Sequence, residues 1–262
     1  MQSDVILSIE NVNKSYKARN SRFSKQTKQV LQEIDLTLYQ GEILGLVGES
    51  GCGKSTLGRC ITGLINDYSG KIIYKSQELL YHTAKERREN TAHIQMVFQD
   101  PFSSLNPKKT VGWIIEEPLR ARGIGTPSER KRKVYEMLEL IGLSSDYWTR
   151  YPQELSGGQR QRISIGSALI LRPDILIADE AVSALDVSVQ AQILNLLKEL
   201  NNELKISILF ISHNLSVVHY LCDRIAVMDG GKIVECNTAD QVYLNPQNEY
   251  TKHLLDSILL HT

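Results

Sequence analysis

The sequence predicts an α/β fold built on a mainly parallel sheet, and two observations carry that reading. Apolar strand-like runs alternate with helical patterns along the chain. Two of those runs close on residues that folding does not require. Residues 43–47 lead into "GESGCGKST" (48–56), and "ILIADE" (175–180) ends in two carboxylates. Taken in order, 5–16 and 30–48 are β-rich, with turn chemistry at Gln40 and Gly41. A helix over 54–64 precedes a short strand at 71–74, and "IQMVFQ" (94–99) has the composition of a buried strand. From 105 to 155 the pattern is helical and irregular, punctuated by Pro107, Pro118, Pro127 and Pro152, as expected of a helical insertion. A helix over 157–171, a buried strand over 174–180, a helix over 188–202, a strand over 206–212 and a helix after His213 follow. Residues 224–235 form a hairpin pattern turning at Gly230 and Gly231.

Composition narrows the classes. The 262 residues carry a formal net charge of zero, so no broad positive field argues for nucleic acid. Residues 1–11 lack the basic start and apolar centre of a signal peptide. No apolar run approaches the roughly 18 residues of a membrane helix. Cys52, Cys60, Cys222 and Cys236 form no CxxC pair and are expected to be reduced thiols. No internal repeat is visible, which points to one unit rather than a tandem pair.

Gly48, Gly53, Lys54 and Ser55 fit G-x-x-x-x-G-K-[ST], the P-loop pattern. Glycines let successive backbone N–H groups turn inward and approach phosphate oxygens closely. The helix starting near Lys54 adds the positive end of its dipole. On this reading residues 48–56 (Gly48, Glu49, Ser50, Gly51, Cys52, Gly53, Lys54, Ser55 and Thr56) hold a nucleoside triphosphate. Lys54 reaches the β- and γ-phosphates, Ser55 offers a hydroxyl to Mg²⁺, and Thr56 faces a neighbouring phosphate. The alternative is a glycine-rich turn with a chance lysine. Burying charge is costly, so Asp179 and Glu180 at the tip of a buried strand are either a solvated strand end or serve a purpose beyond folding. Asp179 suits the Mg²⁺ side of such a site, and Glu180 suits the general base for an attacking water. Gln99, ending its strand, is placed to ligate Mg²⁺ or position water, and His213 to contact the γ-phosphate; a structural role is as good a reading of each alone. "LSGGQRQR" (155–162) sets a serine and two glycines before a long helix, a second anion-binding helix start.

Six segments, "GESGCGKST", "FQDP", "LSGGQ", "ILIADE", "SALD" (183–186) and "SHN" (212–214), stand in an order that resembles an ABC-type ATPase subunit over almost the whole chain. The resemblance implies a single ABC ATPase domain over 1–262. It has a P-loop NTPase core with an antiparallel β-subdomain, an inserted α-helical subdomain at about 103–157 and a C-terminal helical tail at about 238–262. It also implies head-to-tail dimers in which ATP on one P-loop is closed over by the other subunit's signature. Ser156, Gly157, Gly158 and Gln159 would bind that partner ATP, Asp186 would couple the two sites, and Tyr16 would stack on adenine. Lys54, Gln99, Glu180 and His213 would carry catalysis, and Ser55, Gln99 and Asp179 would hold Mg²⁺.

"FQDPFSSLNPKKTV" (98–111), "SALDVSVQAQIL" (183–194) and "NPQNEYTKHLL" (245–255) are similar to the oligopeptide/dipeptide/nickel importer group. That similarity implies a second, different ATPase chain, two membrane permease subunits and an extracytoplasmic binding protein. It places the chain on the cytoplasmic face of the cell membrane. Peptide uptake is the main expectation and nickel or metal-chelate uptake a close alternative. A soluble ABC ATPase acting on nucleic acid or ribosomes is the competing class, and no nucleic-acid partner is expected. Phe102, Leu105, Trp113 and Ile114 are assigned either to a surface receiving a permease helix or to core. Ala181 stands where many relatives have proline, a change in loop stiffness more than in chemistry. Lys14, Lys17, Arg19, Arg22, Lys25 and Lys28 form an acid-free basic stretch, expected to be a solvated loop, with nucleotide phosphate or lipid headgroups as the alternative. "SERKRK" (128–133) is expected to be a solvated helix face, and Arg160 and Arg162 to support the signature helix.

Overall fold

The computed structural model describes residues 4–17, 27–99 and 105–259. The chain divides into two compact units, Met1–Thr91 with Ser207–Thr262, and Ala92–Ile206. The expected helical block at 103–157 falls inside the second unit, which also contains two strands and the helices around them.

In the first unit, β1 (Val5–Lys17) pairs antiparallel with β2 (Thr27–Tyr39). The burial of β2 alternates, because one face of the strand packs inward and the other meets water. β3 (Ile43–Val47) is buried along its whole length. The glycine loop follows, then α1 (Lys54–Ile61), three residues shorter than the sequence pattern predicts. It ends early because Gly63, at φ 71°, lies flat against the Tyr81 ring. β4 (Ser69–Tyr74) pairs antiparallel with β1 and with the short β5 (Gln77–Glu78). α2 (Ala84–His93) starts in this unit and was not legible in the sequence, because it buries no residue and so has no apolar stripe.

In the second unit, β6 (Ile94–Val97) pairs parallel with β7 (Ile175–Asp179). The expected insertion resolves into α3 (Val111–Ala121), α4 (Pro127–Leu140) and 3₁₀ turns at Ser145–Thr149 and Pro152–Glu154. Pro127 opens α4 within a Thr126–Glu129 capping box, whereas Pro118 sits inside α3. α5 (Gly157–Leu169) and α6 (Val187–Leu204) complete this unit. Back in the first unit, β8 (Ser207–Ser212) and β9 (Arg224–Asp229) flank β3 in parallel, and α7 (Leu215–Leu221) lies between them in sequence. β10 (Lys232–Thr238) turns back antiparallel on β9 through Gly230 and Gly231, as the hairpin pattern predicts. α8 (Ala239–Leu244) and α9 (Glu249–Leu259) close the described chain.

Several surface expectations are corrected. Lys14 is not a solvated loop residue: it lies in β1, 3% exposed, paired with the Asp67 carboxylate and donating to Asp67 O at 2.9 Å. Arg19, Arg22, Lys25 and the side chain of Lys17 lie outside the described residues, while Lys28 is exposed. Within "SERKRK", Arg130 turns inward to Glu116 at 2.8 Å, and Lys131 and Arg132 remain exposed. Leu105 and Ile114 are core residues rather than an open lining surface. Trp113 is half-buried, with the cations of Lys109 and Arg120 4.6 and 4.3 Å from its ring centroid, and Phe102 lies outside the described residues. Arg160 and Arg162 do brace α5, donating to Pro152 O at 2.6 Å and Ile141 O at 2.8 Å.

All four cysteines are free. Burial raises each thiol pKa, to about 12 for Cys60, so none is a ready thiolate at neutral pH. No helix among the described residues is long and apolar enough to cross a membrane.

β3 packs so closely under α7 that a Cβ on Gly45 would lie 2.0 Å from Val218 Cγ1. Gly45→Ala is expected to destabilise the chain by about 1–3 kcal/mol through overpacking, read as a lower denaturant midpoint.

Candidate functional site

Parallel strands bring their carboxyl ends to one edge. β3 and β8 pair Val47 with Ser212, so Gly48 and His213, the next residues, leave the sheet beside each other. His213 is exposed. From Gly48 the chain passes through the glycine loop into α1. The N-cap is Gly53 at φ 120°, with no side-chain cap and no acid in the first turn. The positive end of the helix dipole is therefore left unanswered by any carboxylate of that turn, which is the electrostatic setting for an anion. Lys54 is 4% exposed and folds over the loop, donating to Gly48 O at 2.6 Å and Glu49 O at 2.8 Å. Ser55, Thr56 and Cys52 are half-buried, and Glu49, Ser50 and Gly51 are exposed.

Two of the glycines have a packing reason of their own. A Cβ on Gly48 would lie 2.1 Å from Met228 O, and one on Gly53 2.7 Å from Val30 O. Tyr16, 40% exposed, lies in β1 with the Lys14 ammonium 4.7 Å from its ring centroid. Sequence reasoning missed Tyr250, whose hydroxyl accepts from the Glu49 N–H at 3.0 Å. A contact across 201 positions leaves no local pattern that could have signalled it.

The second unit repeats the strand-end logic. Val97 pairs with Ala178, so Gln99 and Glu180 each stand two residues beyond the pair. The structure brings them together: Gln99 Nε2 donates to Glu180 Oε2 at 2.7 Å. Asp179, the last residue of β7, is 4% exposed. Glu180 adopts φ 47°, a left-handed conformation that costs a non-glycine residue about 1 kcal/mol or more. Ser183 N and Oγ, at 3.1 and 3.0 Å, both donate to Glu180 O and fix that turn.

The signature stretch forms a capping box. Ser156 Oγ accepts from Gln159 N at 3.3 Å, and Gln159 Oε1 accepts from Ser156 N at 3.0 Å. Gln159 Nε2 also donates to the Tyr147 hydroxyl at 2.8 Å. Ser156 and Gln159 thus already spend side-chain atoms on the helix start, and Gly157 and Gly158 contribute first-turn amides. Gly158 has a packing reason too, since a Cβ there would lie 2.4 Å from Val189 Cγ1. Asp186 caps α6, accepting from Val189 N at 3.0 Å and Ser188 Oγ at 2.9 Å. Those hydrogen bonds, the Val189 N–H first, hold its carboxyl below the usual aspartate value.

The ABC transporter family profile matches residues 31–183, more than half of the chain. The chain belongs to the ABC transporter family. This ABC chain is 46% identical over 258 residues to the oligopeptide transport ATP-binding protein AppF of Bacillus subtilis, covering 97% of this chain and 78% of that protein. Its fold is similar to cbiO1 from Clostridium perfringens, described as part of the ABC transporter complex cbiONQ, with TM-score 0.80, 27% identity and coverage of 98% and 95% of the two chains. It is also similar, with TM-score 0.77 and 28% identity over 89% of this chain and 99% of the other, to the ATP-binding cassette MJ0796, solved as a dimer in a post-hydrolysis state bound to ADP and Pi.

The Mg²⁺ that the family implies is testable against the donors this ABC chain offers. Ser55, Gln99 and Asp179 supply a hydroxyl, an amide oxygen and a carboxylate, the hard oxygen ligands Mg²⁺ prefers. Among the described residues no group of three or more His, Cys, Asp or Glu is gathered to hold a metal by itself. Each of these groups is of the type that suits a Mg²⁺ arriving with phosphate oxygens and water.

Two expected outcomes follow from the caps. Ser156→Ala lowers the stability of the ABC chain by about 1 kcal/mol, measured by urea unfolding. For Asp186→Ala, the drop in midpoint is full above the ordinary aspartate value of 3.8 and fades as pH falls through the lower folded value, because protonation removes the cap from the wild type as well.

Proposed function

We propose that this chain is the ATP-hydrolysing subunit of an importer of peptides, working on the cytoplasmic face of the cell membrane. The observation that carries the enzymatic part is Glu180: a carboxylate at the end of a buried strand, held in a left-handed turn and gripped by the Gln99 amide at 2.7 Å. The arrangement fixes one carboxylate oxygen and orients the other for a proton acceptor's task. Peptides are favoured over nickel or metal chelates because AppF, so similar over most of the chain, is named for oligopeptide transport. Membership in the ABC transporter family favours the membrane setting over a soluble machine acting on nucleic acid or ribosomes.

In this reading the chain forms one ABC ATPase domain and 48–56 wraps the triphosphate. Lys54 exchanges the carbonyls of Gly48 and Glu49 for β- and γ-phosphate oxygens and neutralises their charge. Glu180 takes a proton from the attacking water, Gln99 holds that carboxylate and lends its amide oxygen, and His213 donates to the γ-phosphate. Ser55, Gln99 and Asp179 would hold Mg²⁺, which supplies charge stabilisation on the phosphates when bound. Tyr16 stacks on the adenine. The first-turn amides at Gly157 and Gly158, with Ser156 and Gln159 as their frame, meet the ATP of a second and different ABC subunit in a head-to-tail dimer. Asp186 sits at that junction. Two permease subunits and an extracytoplasmic binding protein complete the importer. Hydrolysis and phosphate release remove the shared γ-phosphate contact, and the dimer opens.

Glu180→Gln is expected to retain Mg-ATP binding and to lose at least about 100-fold in ATP turnover, assayed in the membrane-extracted complex. Brisk turnover would remove Glu180 from the role of base. Lys54→Ala is expected to weaken nucleotide binding by about tenfold or more, measured by calorimetry. A tagged chain purified from membranes should carry two integral membrane proteins with it; recovery with ribosomes or DNA from the soluble fraction would overturn the importer reading.

A further inference from the structure

The glycine loop is held from a place that its own sequence does not contain. The Gly48–Glu49 peptide group is fixed on both sides: its N–H, that of Glu49, donates to the Tyr250 hydroxyl at 3.0 Å, and its carbonyl, that of Gly48, accepts from Lys54 Nζ at 2.6 Å. Tyr250 is the second residue of α9, and the approach to that helix is itself pinned. Both carboxylate oxygens of Glu235, on β10, accept backbone N–H groups there, from Gln247 at 2.9 Å and Asn248 at 3.1 Å. Asn248 Oδ1 in turn accepts from Tyr250 N at 2.9 Å. The next residue, Thr251, is fully buried. A continuous path therefore runs from β10 through the Glu235 carboxylate and the 247–248 backbone to the Tyr250 hydroxyl and on to the loop.

We propose that Tyr250 is a positioning residue for the nucleotide loop, and that the docked start of α9 sets the loop's affinity for Mg-ATP. The inference rests on reading 48–56 as that loop and deepens it. When Lys54 leaves the Gly48 carbonyl for phosphate, Tyr250 keeps the same peptide group from following it. The remaining loop amides then stay aimed inward, and less conformational freedom is lost on binding. By linkage the coupling is reciprocal: bound Mg-ATP must also hold α9 more firmly.

The test uses the full chain and Mg-ATP. Tyr250→Phe keeps the ring and removes only the hydroxyl. The expected result is a Kd raised roughly three- to tenfold, the size of one ordinary hydrogen bond. Hydrogen exchange supplies a readout that a purely structural role would not move. In the wild type Mg-ATP slows exchange over 249–254, and in Tyr250→Phe that slowing is lost while the Glu49 amide exchanges faster. A Kd within twofold of wild type, with or without a lower unfolding temperature, overturns the proposal. Lys54→Ala, run in parallel, separates the two readings. If it weakens binding and Tyr250→Phe does not, only the strut fails; if neither variant weakens binding, the nucleotide loop fails with it.

Discussion

Parallel register between short strands is the constraint on which the rest of this chain depends. In a parallel pair both strands run out at the same edge, so residues one or two steps past a matched pair are neighbours whatever their distance in sequence. Val47 beside Ser212 sets Gly48 against His213. Val97 beside Ala178 sets Gln99 against Glu180. β3, β7 and β8 are buried along their whole length, and each fully buried Leu, Ile or Phe contributes about 1.5–3 kcal/mol. That burial holds charged and strained groups at the strand ends, among them the left-handed Glu180 and the nearly inaccessible Asp179.

Much of the chemistry-bearing sequence also has ordinary structural work. Ser156 and Gln159 close a capping box, Asp186 caps a helix, and Gly48 and Gly158 stand where any side chain would collide with a neighbour. Such double use has a physical consequence. A helix start whose side chains are occupied with capping presents its first-turn amides rigidly, and a rigid donor array binds an anion with less entropy to lose. A substitution there perturbs stability and recognition together, so the two must be measured separately.

What was legible in the sequence was whatever has a local cause. Alternation of apolar strands and helices gave the α/β class, since buried strands and amphipathic helices each impose a short period on the chain. The glycine loop, the acidic strand end and the serine–glycine helix start were legible because each sets particular residue types within a few positions of each other. α2 was not legible, because a helix that buries nothing has no stripe.

The sequence by itself determined the α/β class, the order of most elements and the residue types that stand at the strand ends and helix starts. Only the tertiary structure decided which distant residues meet. It took Lys14 out of a basic stretch and buried it against Asp67, put Leu105 and Ile114 into the core, and brought Tyr250 to the Glu49 amide across 201 positions. Those pairings are set by strand register and by which faces cover one another, and neither is written in any stretch short enough to read locally.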